Sequence, residues 1–495
     1  MAFFGRTQEL DILQSLTRNP LGVATITGRR RIGKSRLVEE YARRERRKLI
    51  KIEGRDIPQG GNAAQLAAFA ADLGHDAGVS GLSFDNWNGA FNILGTLMRG
   101  RRWIVLLDEI TWLARHSEEC LAELKVFIDR HVNGSGNQLL ICGSISQWIE
   151  QHINQSDLFV GRISSKLHLQ PLTVGESAQF WAGRDVAPHE ILTTLCVTGG
   201  VPRYLEEIDV RESAEWNIRR LCFKPPGYLV TELPNLIKSS FLSAVRESSL
   251  ERYLAILEAL SGNGKTLAEI ATATGLDNNE NLADSLTALS LSGIASENPS
   301  WNLKTRSLQK RNIRYRIEDP YTRFYMKYIR PQLHEIGKNV FGNITIRQLT
   351  SWEAIRGLQF EALVGQAIVP AILERLQLRG TPIQRLGPYF QSQTRRHPAV
   401  QIDYLLQTDD TIYVCETKFR KTIEASVVDE VKEKIKRLGV PKGVTVRKVL
   451  IYSGKLDQAL QDSIYFDREV NVDEFLDKSG AAHGTLEGRE SRTTP

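Results

Sequence analysis

Cysteine is scarce and poorly placed for either of its structural uses. The five residues, Cys120, Cys142, Cys196, Cys222 and Cys415, are odd in number and scattered, and no two stand in C-x-x-C spacing. That excludes a disulfide framework and argues against a zinc site, as expected of a reducing cytoplasm. Long apolar runs are missing as well. Residues 1–4 are followed at once by Arg6 and Glu9, so neither a cleavable signal nor a membrane span is expected. A strong excess of one charge is also lacking. The 64 Lys and Arg against 58 Asp and Glu leave a formal charge of +6, which suggests an anionic partner without establishing one. The placement of the basic residues therefore matters more than their sum.

The 495 residues suffice for three domains, each with its own core. The most informative stretch is Gly28-Arg29-Arg30-Arg31-Ile32-Gly33-Lys34-Ser35, which fits the phosphate-loop pattern G-x-x-x-x-G-K-S/T. An apolar, strand-like run (residues 21–26) precedes it, and a helical pattern through Leu37, Val38 and Tyr41 follows. The glycines let successive backbone N–H groups face the phosphates, Lys34 adds a point charge, Ser35 offers a hydroxyl to Mg²⁺, and Arg36 opens the helix whose N-terminal end attracts anions. Residues 103–107 form a continuous apolar run that ends in Asp108-Glu109, as a buried parallel strand would. This resembles Walker B, in which Asp108 holds Mg²⁺ and Glu109 orients or deprotonates the attacking water. A third buried strand, residues 138–142, leads to Gly143-Ser144, which resembles the place where many AAA+ ATPases carry a polar residue that senses the γ-phosphate, so the resemblance makes Ser144 a sensor candidate.

Upstream, Gly5-Arg6-Thr7-Gln8-Glu9-Leu10 is similar to the "GRxxEL" box of AAA+ and STAND ATPases; as a bare pattern it is equally an ordinary capped helix. Downstream, Gly199-Gly200-Val201-Pro202-Arg203-Tyr204-Leu205 is similar to the "GGxPxYL" turn of the helical lid. Together these features resemble the archaeal-type P-loop ATPases of the AAA+/STAND branch over residues 1–330. The resemblance implies ATP and Mg²⁺ as ligands, an α/β parallel sheet with a helical lid, and Arg162 and Arg203 as candidates for a nucleotide or lid contact.

From residue 250 short amphipathic helices take over, and the order helix, helix, turn at Gly275, third helix, hairpin is that of a winged-helix module. The third helix carries Asp277, Glu280 and Asp284 near its start and would be repelled by a phosphate-rich groove. The following stretch, with Lys304, Arg306, Lys310, Arg311, Arg314 and Arg316 among aromatics, is suited to tracking a nucleic-acid backbone. DNA binding and lid packing both stay open for this module. Residues 316–325, containing Asp319-Pro320, resemble a linker to the next domain. The expected divisions are 1–245 (ATPase and lid), 246–330 (winged helix), 331–478 (C-terminal domain) and a disordered tail, 479–495.

A second constellation lies in the C-terminal part. Glu361 stands among apolar residues of a helical stretch, and residues 400–406 and 411–419 read as two strands joined at Asp409-Asp410. Alternation puts Glu416 and Lys418 on one face and Tyr413, Cys415 and Thr417 on the other. The order helix-acid, strand-Asp403, strand-Glu416-x-Lys418 resembles the PD-(D/E)XK, restriction-endonuclease-like nucleases, and the region resembles the C-terminal domain of unknown function found behind archaeal-type ATPases. The motif's proline is replaced by Ile402. The resemblance implies that Asp403 and Glu416 bind Mg²⁺ or Mn²⁺, that Lys418 orients water or steadies the phosphate, and that Glu361 completes the acidic cluster. Arg395, Arg396, Arg420, Lys421, Lys432 and Lys436 are the nearby bases expected to approach phosphates. Two functions follow: an ATP-dependent switch controlling a metal-dependent DNA nuclease, or a nucleotide-gated DNA-binding scaffold with an inactive nuclease-like domain. A homo-oligomer or protein partner is compatible with both, a membrane with neither.

Overall fold

The computed structural model describes residues 2–57, 61–115, 117–144, 146–241, 247–378, 380–393 and 397–476. The expected tail, the 245/246 boundary, Arg395 and Arg396 lie outside the described residues, as do the side chains of Lys310 and Arg311.

Strands β1 (Val23–Thr27), β2 (Leu49–Glu53), β3 (Ile104–Asp108), β4 (Gln138–Cys142) and β5 (Ser165–His168) form a parallel sheet in the order β2-β3-β4-β1-β5. The apolar runs at β1, β3 and β4 are buried throughout because helices cover both faces. Ala24, Ile26, Leu106 and Leu140 pack with Leu37, Val38 and Tyr41 of the helix Lys34–Glu45. The alternate residues Val23, Val105, Leu107 and Ile141 pack with Leu66, Phe69 and Phe91 on the other side.

The three helices Glu247–Ala259, Leu267–Thr274 and Glu280–Leu291 are followed by an antiparallel hairpin of β6 (Ala295–Trp301) and β7 (Leu308–Ile317). A capping box at Thr266 and Glu269 starts the middle helix, and Gly275, at φ 70°, ends it. The basic residues of the hairpin are largely engaged within the chain. Arg306 pairs with Asp409, Arg314 bonds the carbonyl of Gly264, and the buried Arg316 pairs with Glu318. The hairpin also packs on the C-terminal sheet, where Trp301 donates to Gln407 at 3.0 Å and meets Tyr389 edge-on. This corrects the expectation that Arg306, Arg314 and Arg316 are free to follow a nucleic-acid backbone.

The expected linker is likewise not one. All five residues of the short helix Pro320–Phe324 are buried. Its aromatic side chains pack between the lid and the helix Trp352–Leu363.

The C-terminal sheet comprises β8 (Arg385–Gln391), β9 (Val400–Gln407), β10 (Thr411–Ile423), β11 (Thr445–Leu456) and β12 (Arg468–Asn471), in the order β12-β11-β10-β9-β8. Strands β10, β11 and β12 are parallel, and β8, β9 and β10 are antiparallel. On one face Cys415, Phe419 and Val449 join Phe360 of the helix Trp352–Leu363. On the other, Ile412, Val414 and Leu450 meet Val427, Val428 and Val431 of the helix Ser426–Arg437. One continuous core runs from Leu172 in the lid to Leu476, so the hydrophobic contacts do not divide at residue 330. No helix among the described residues is long and apolar enough to cross a membrane.

Candidate nucleotide pocket and C-terminal acidic site

The phosphate loop runs from the end of β1 to the helix Lys34–Glu45, at the C-terminal edge of the sheet where ligands of open α/β folds bind. Gly28, at φ 136°, has no room for a side chain, since a β-carbon would come within 2.8 Å of the Leu169 carbonyl oxygen. Gly33, at φ 92°, precedes the helix as its N-cap. Lys34 Nζ donates to the carbonyls of Gly28 (3.0 Å) and Arg29 (3.3 Å). Ser35 Oγ donates to Asp108 Oδ2 at 2.5 Å. Glu109 is held in the left-handed region, φ 51°, and its Oε2 accepts from both the N–H and the hydroxyl of Ser144 at 3.0 and 2.9 Å. A strained non-glycine conformation of this kind persists only where its surroundings impose it.

A cleft of about 700 Å³ opens over these groups. Arg30, Arg31, Gly33, Lys34, Ser35, Arg36, Asp108 and Glu109 line it, as do Arg203 and Arg55. A narrower recess beside Gly33 and Ile32 is lined by Phe3, Phe4, Arg6 and Phe180, which places the "GRxxEL" stretch against the loop. Ile32 is fully buried and serves as the loop's apolar anchor.

The residues at this site suit Mg²⁺. Asp108 Oδ1 is buried without a hydrogen-bond partner, and a carboxylate beside a hydroxyl leaves the remaining positions for phosphate and water, as this ion prefers. Lys51, 3.6 Å from Asp108, is a basic neighbour that sequence reasoning missed. Its ammonium is held protonated against the effect of burial by Asp108 and Glu39.

Two expected cofactor residues behave differently. Arg29 turns its guanidinium away from the cleft into the interior, 2.5 Å from Asp319 and 3.1 Å from the Tyr204 hydroxyl. Only its backbone remains available to phosphate. Arg162 lies at the opposite edge of the sheet, just before β5, in a two-pronged pair with Asp129 at 2.8 and 2.9 Å. It cannot reach the loop of its own chain, because strand direction separates the two ends. Arg31 pairs with Glu232 at 3.1 Å, and Arg36 pairs with Glu206.

In the C-terminal domain, β9 and β10 pair as far as Tyr404 and Cys415. Asp403 and Glu416 are the next residues, where the two strands part. Lys418 Nζ contacts Glu416 Oε1 at 2.7 Å, as alternation predicts. Asp403 Oδ2 accepts from the N–H and hydroxyl of Thr417 at 3.0 and 3.1 Å. Lys434 then joins the two acids, its Nζ lying 3.0 Å from Asp403 Oδ1 and 2.5 Å from Glu416 Oε2.

Burial and the charge of Asp403 raise the Glu416 carboxyl, and the same two causes push Glu361 up to about 7. For Lys434, burial opposes the charge, but Asp403 and Glu416 outweigh it and the ammonium is stabilised. Sequence reasoning named the exposed Lys432 and Lys436 and missed Lys434. The available signal was helical spacing, since residue 434 follows Val427 and Val431 on the buried stripe.

No group of three or more His, Cys, Asp and Glu placed to hold a metal ion occurs among the described residues. Glu361 thus does not complete an acidic metal cluster with Asp403 and Glu416 as expected, and the position between those two carboxylates is taken by Lys434. Two carboxylates, with water and substrate phosphate, are a sufficient protein contribution for Mg²⁺.

Residues 22–178 match a family described as AAA domain. The parallel sheet of this region is typical of P-loop ATPases. Over 372 residues the chain is 24% identical to the uncharacterized protein MJECL04 of Methanocaldococcus jannaschii, a match covering 74% of this chain and 77% of that one. Among solved structures, the Walker-type ATPase of Pyrococcus abyssi is similar over 66% of this chain and 96% of its own, with 19% identity and a TM-score of 0.47. The ORC2 protein of Aeropyrum pernix is similar over 68% and 94%, with 14% identity and a TM-score of 0.40.

Proposed function

We propose that the chain is an ATP-binding and ATP-hydrolysing switch whose C-terminal domain is a metal-dependent DNA phosphodiesterase. In the AAA domain, Lys34 and the loop N–H groups hold the phosphates and Ser35 and Asp108 would hold Mg²⁺. Glu109, kept in place by Ser144, orients the attacking water. The three helices and hairpin at residues 247–317 serve as a winged-helix module that packs on the C-terminal domain.

The observation that carries the nuclease half is the convergence of Asp403, Glu416, Lys418 and Lys434 where β9 and β10 separate. Asp403 and Glu416 would hold one Mg²⁺ or Mn²⁺ ion. When bound, that ion would polarise a phosphodiester and lower the pKa of a bound water. Lys418 lies beside Glu416, placed to orient that water or steady the charge growing on phosphate. Thr417 keeps Asp403 in position.

The test is cleavage of plasmid and single-stranded DNA by the full chain with Mg²⁺ or Mn²⁺, with and without ATP. Asp403→Ala should abolish cleavage and leave ATP turnover largely intact. Undiminished cleavage by that variant would locate the activity elsewhere.

The engagement of both acids by lysines favours a second reading, a nucleotide-gated scaffold whose C-terminal domain binds without cutting. No cleavage by the wild type under any metal or nucleotide condition would select it.

A further inference from the structure

A row of buried polar groups leads from the phosphate loop to the helix Trp352–Leu363. Arg29 belongs to the loop, yet its guanidinium points inward and pairs with Asp319, with only 3% and 2% of the two side chains exposed. Tyr204 completes the cluster. Its hydroxyl accepts from Arg29 and donates to Glu232, which also receives Arg31. Burial works against the Arg29 charge, but Asp319 outweighs it, so the guanidinium is held more firmly protonated than usual.

Asp319 faces both ways. Its Oδ1 takes Arg29, while its Oδ2 accepts from the N–H and hydroxyl of Thr322 at 3.0 and 2.6 Å and so caps the helix Pro320–Phe324. The Pro320 carbonyl accepts from Gln359 Nε2 at 2.7 Å, and Gln359 Oε1 accepts from Arg323 at 2.8 Å. Gln359 is fully buried in the helix Trp352–Leu363, two residues before Glu361.

Isolated buried ion pairs contribute little to stability, so their presence calls for another role. We infer that the Arg29–Asp319 pair is the element through which the phosphate loop sets the position of the helix Trp352–Leu363, which packs on β10 through Phe360 and Phe419. The inference rests on the ATP-binding half of the proposed function and is independent of whether the C-terminal site cuts DNA.

The loop supplies two arrangements for the pair to report. Lys34 Nζ now sits on the carbonyls of Gly28 and of Arg29 itself. These bonds use two of the three N–H groups of the ammonium, so phosphate bound through the third would draw it toward the cleft and load both carbonyls. One of them belongs to Arg29, whose side chain is anchored on Asp319. A ligand shifts a two-state element only through contacts that differ between the states, and Lys34 provides that difference. Reciprocity follows: whatever fixes the helix Trp352–Leu363 must alter nucleotide affinity by the same factor.

The experiment is amide hydrogen exchange of the full chain with and without Mg²⁺-ATP, alongside ATP affinity by calorimetry. In the wild type, ATP should change exchange in Pro320–Phe324 and in Trp352–Leu363. Asp319→Asn breaks the pair at the hub. Gln359→Met cuts the next link at similar volume and leaves Arg29 paired. Gln359→Met should bind ATP within about threefold of the wild type, and both variants should lose most of the response in Trp352–Leu363.

A response that persists in Gln359→Met or Asp319→Asn overturns the inference. So does a wild type that binds ATP with no change in either helix, an outcome that leaves the phosphate-loop reading intact. A wild type that does not bind ATP sinks both.

Discussion

The roles proposed for Lys34 and Glu109 differ, and their substitutions should separate accordingly. Among the described residues Lys34 has no acidic hydrogen-bond partner and donates to two loop carbonyls, which leaves its charge available to phosphate. Lys34→Ala should therefore lower ATP affinity by tenfold or more in calorimetry, and unchanged affinity would defeat the assignment of the loop. Glu109 makes its bonds through Ser144 and touches no loop residue. Glu109→Gln should keep ATP affinity and slow steady-state phosphate release by about 100-fold, the loss expected when a water-positioning group is removed. At the same scale, Lys434 shows why spacing in sequence understates a site. It stands 16 residues beyond Lys418 in a helix of alternating charges, and only its position on the buried stripe distinguishes it.

Among the elements, the β6–β7 hairpin departs furthest from its sequence pattern. For a basic stretch interleaved with aromatics, nucleic-acid contact and packing within the chain were both open, and the fold uses Trp301 as an anchor. The indole is 3% exposed, meets Tyr389 and donates to Gln407. Trp301→Ala would leave a cavity and an unpartnered amide, so it should destabilise the chain by about 3 kcal/mol in denaturant unfolding. A loss below about 1 kcal/mol would show that the hairpin is not fastened to the sheet. The short helix Pro320–Phe324 makes the same point in reverse. It reads as a linker because it is short and begins at proline, but its aromatic residues fill the space between lid and C-terminal domain.

For the whole molecule, the continuous core from Leu172 to Leu476 decides what unfolds together. A chain truncated after residue 330 keeps the ATPase sheet, the lid and the hairpin. It also exposes the apolar surfaces of Tyr321, Phe324 and Tyr328, which otherwise pack near Trp352 and Phe360. Such a chain should aggregate or bind a hydrophobic dye, and the full chain should lose lid and C-terminal structure in one calorimetric transition. A soluble truncated chain with an unchanged AAA-domain transition would show that the two parts fold independently.

What the sequence by itself determined is local. The phosphate loop, the buried strands ending at Asp108 and Cys142, the three helices with their hairpin, and the placement of Glu416 and Lys418 on one face all follow from backbone geometry and periodicity, which act over a few residues. The side chain of Arg29 turns inward because a motif specifies the backbone more tightly than the direction of a long side chain, and Arg162, a candidate by resemblance alone, pairs with Asp129 at the far edge of the sheet. The pairings of Asp319, Gln359 and Lys51 were not legible at all, and that of Lys434 only through its helical spacing. Their partners lie far away in the chain or on another element, and only the tertiary structure decided which charges would be buried together, because desolvating each one demands a partner that local sequence cannot name.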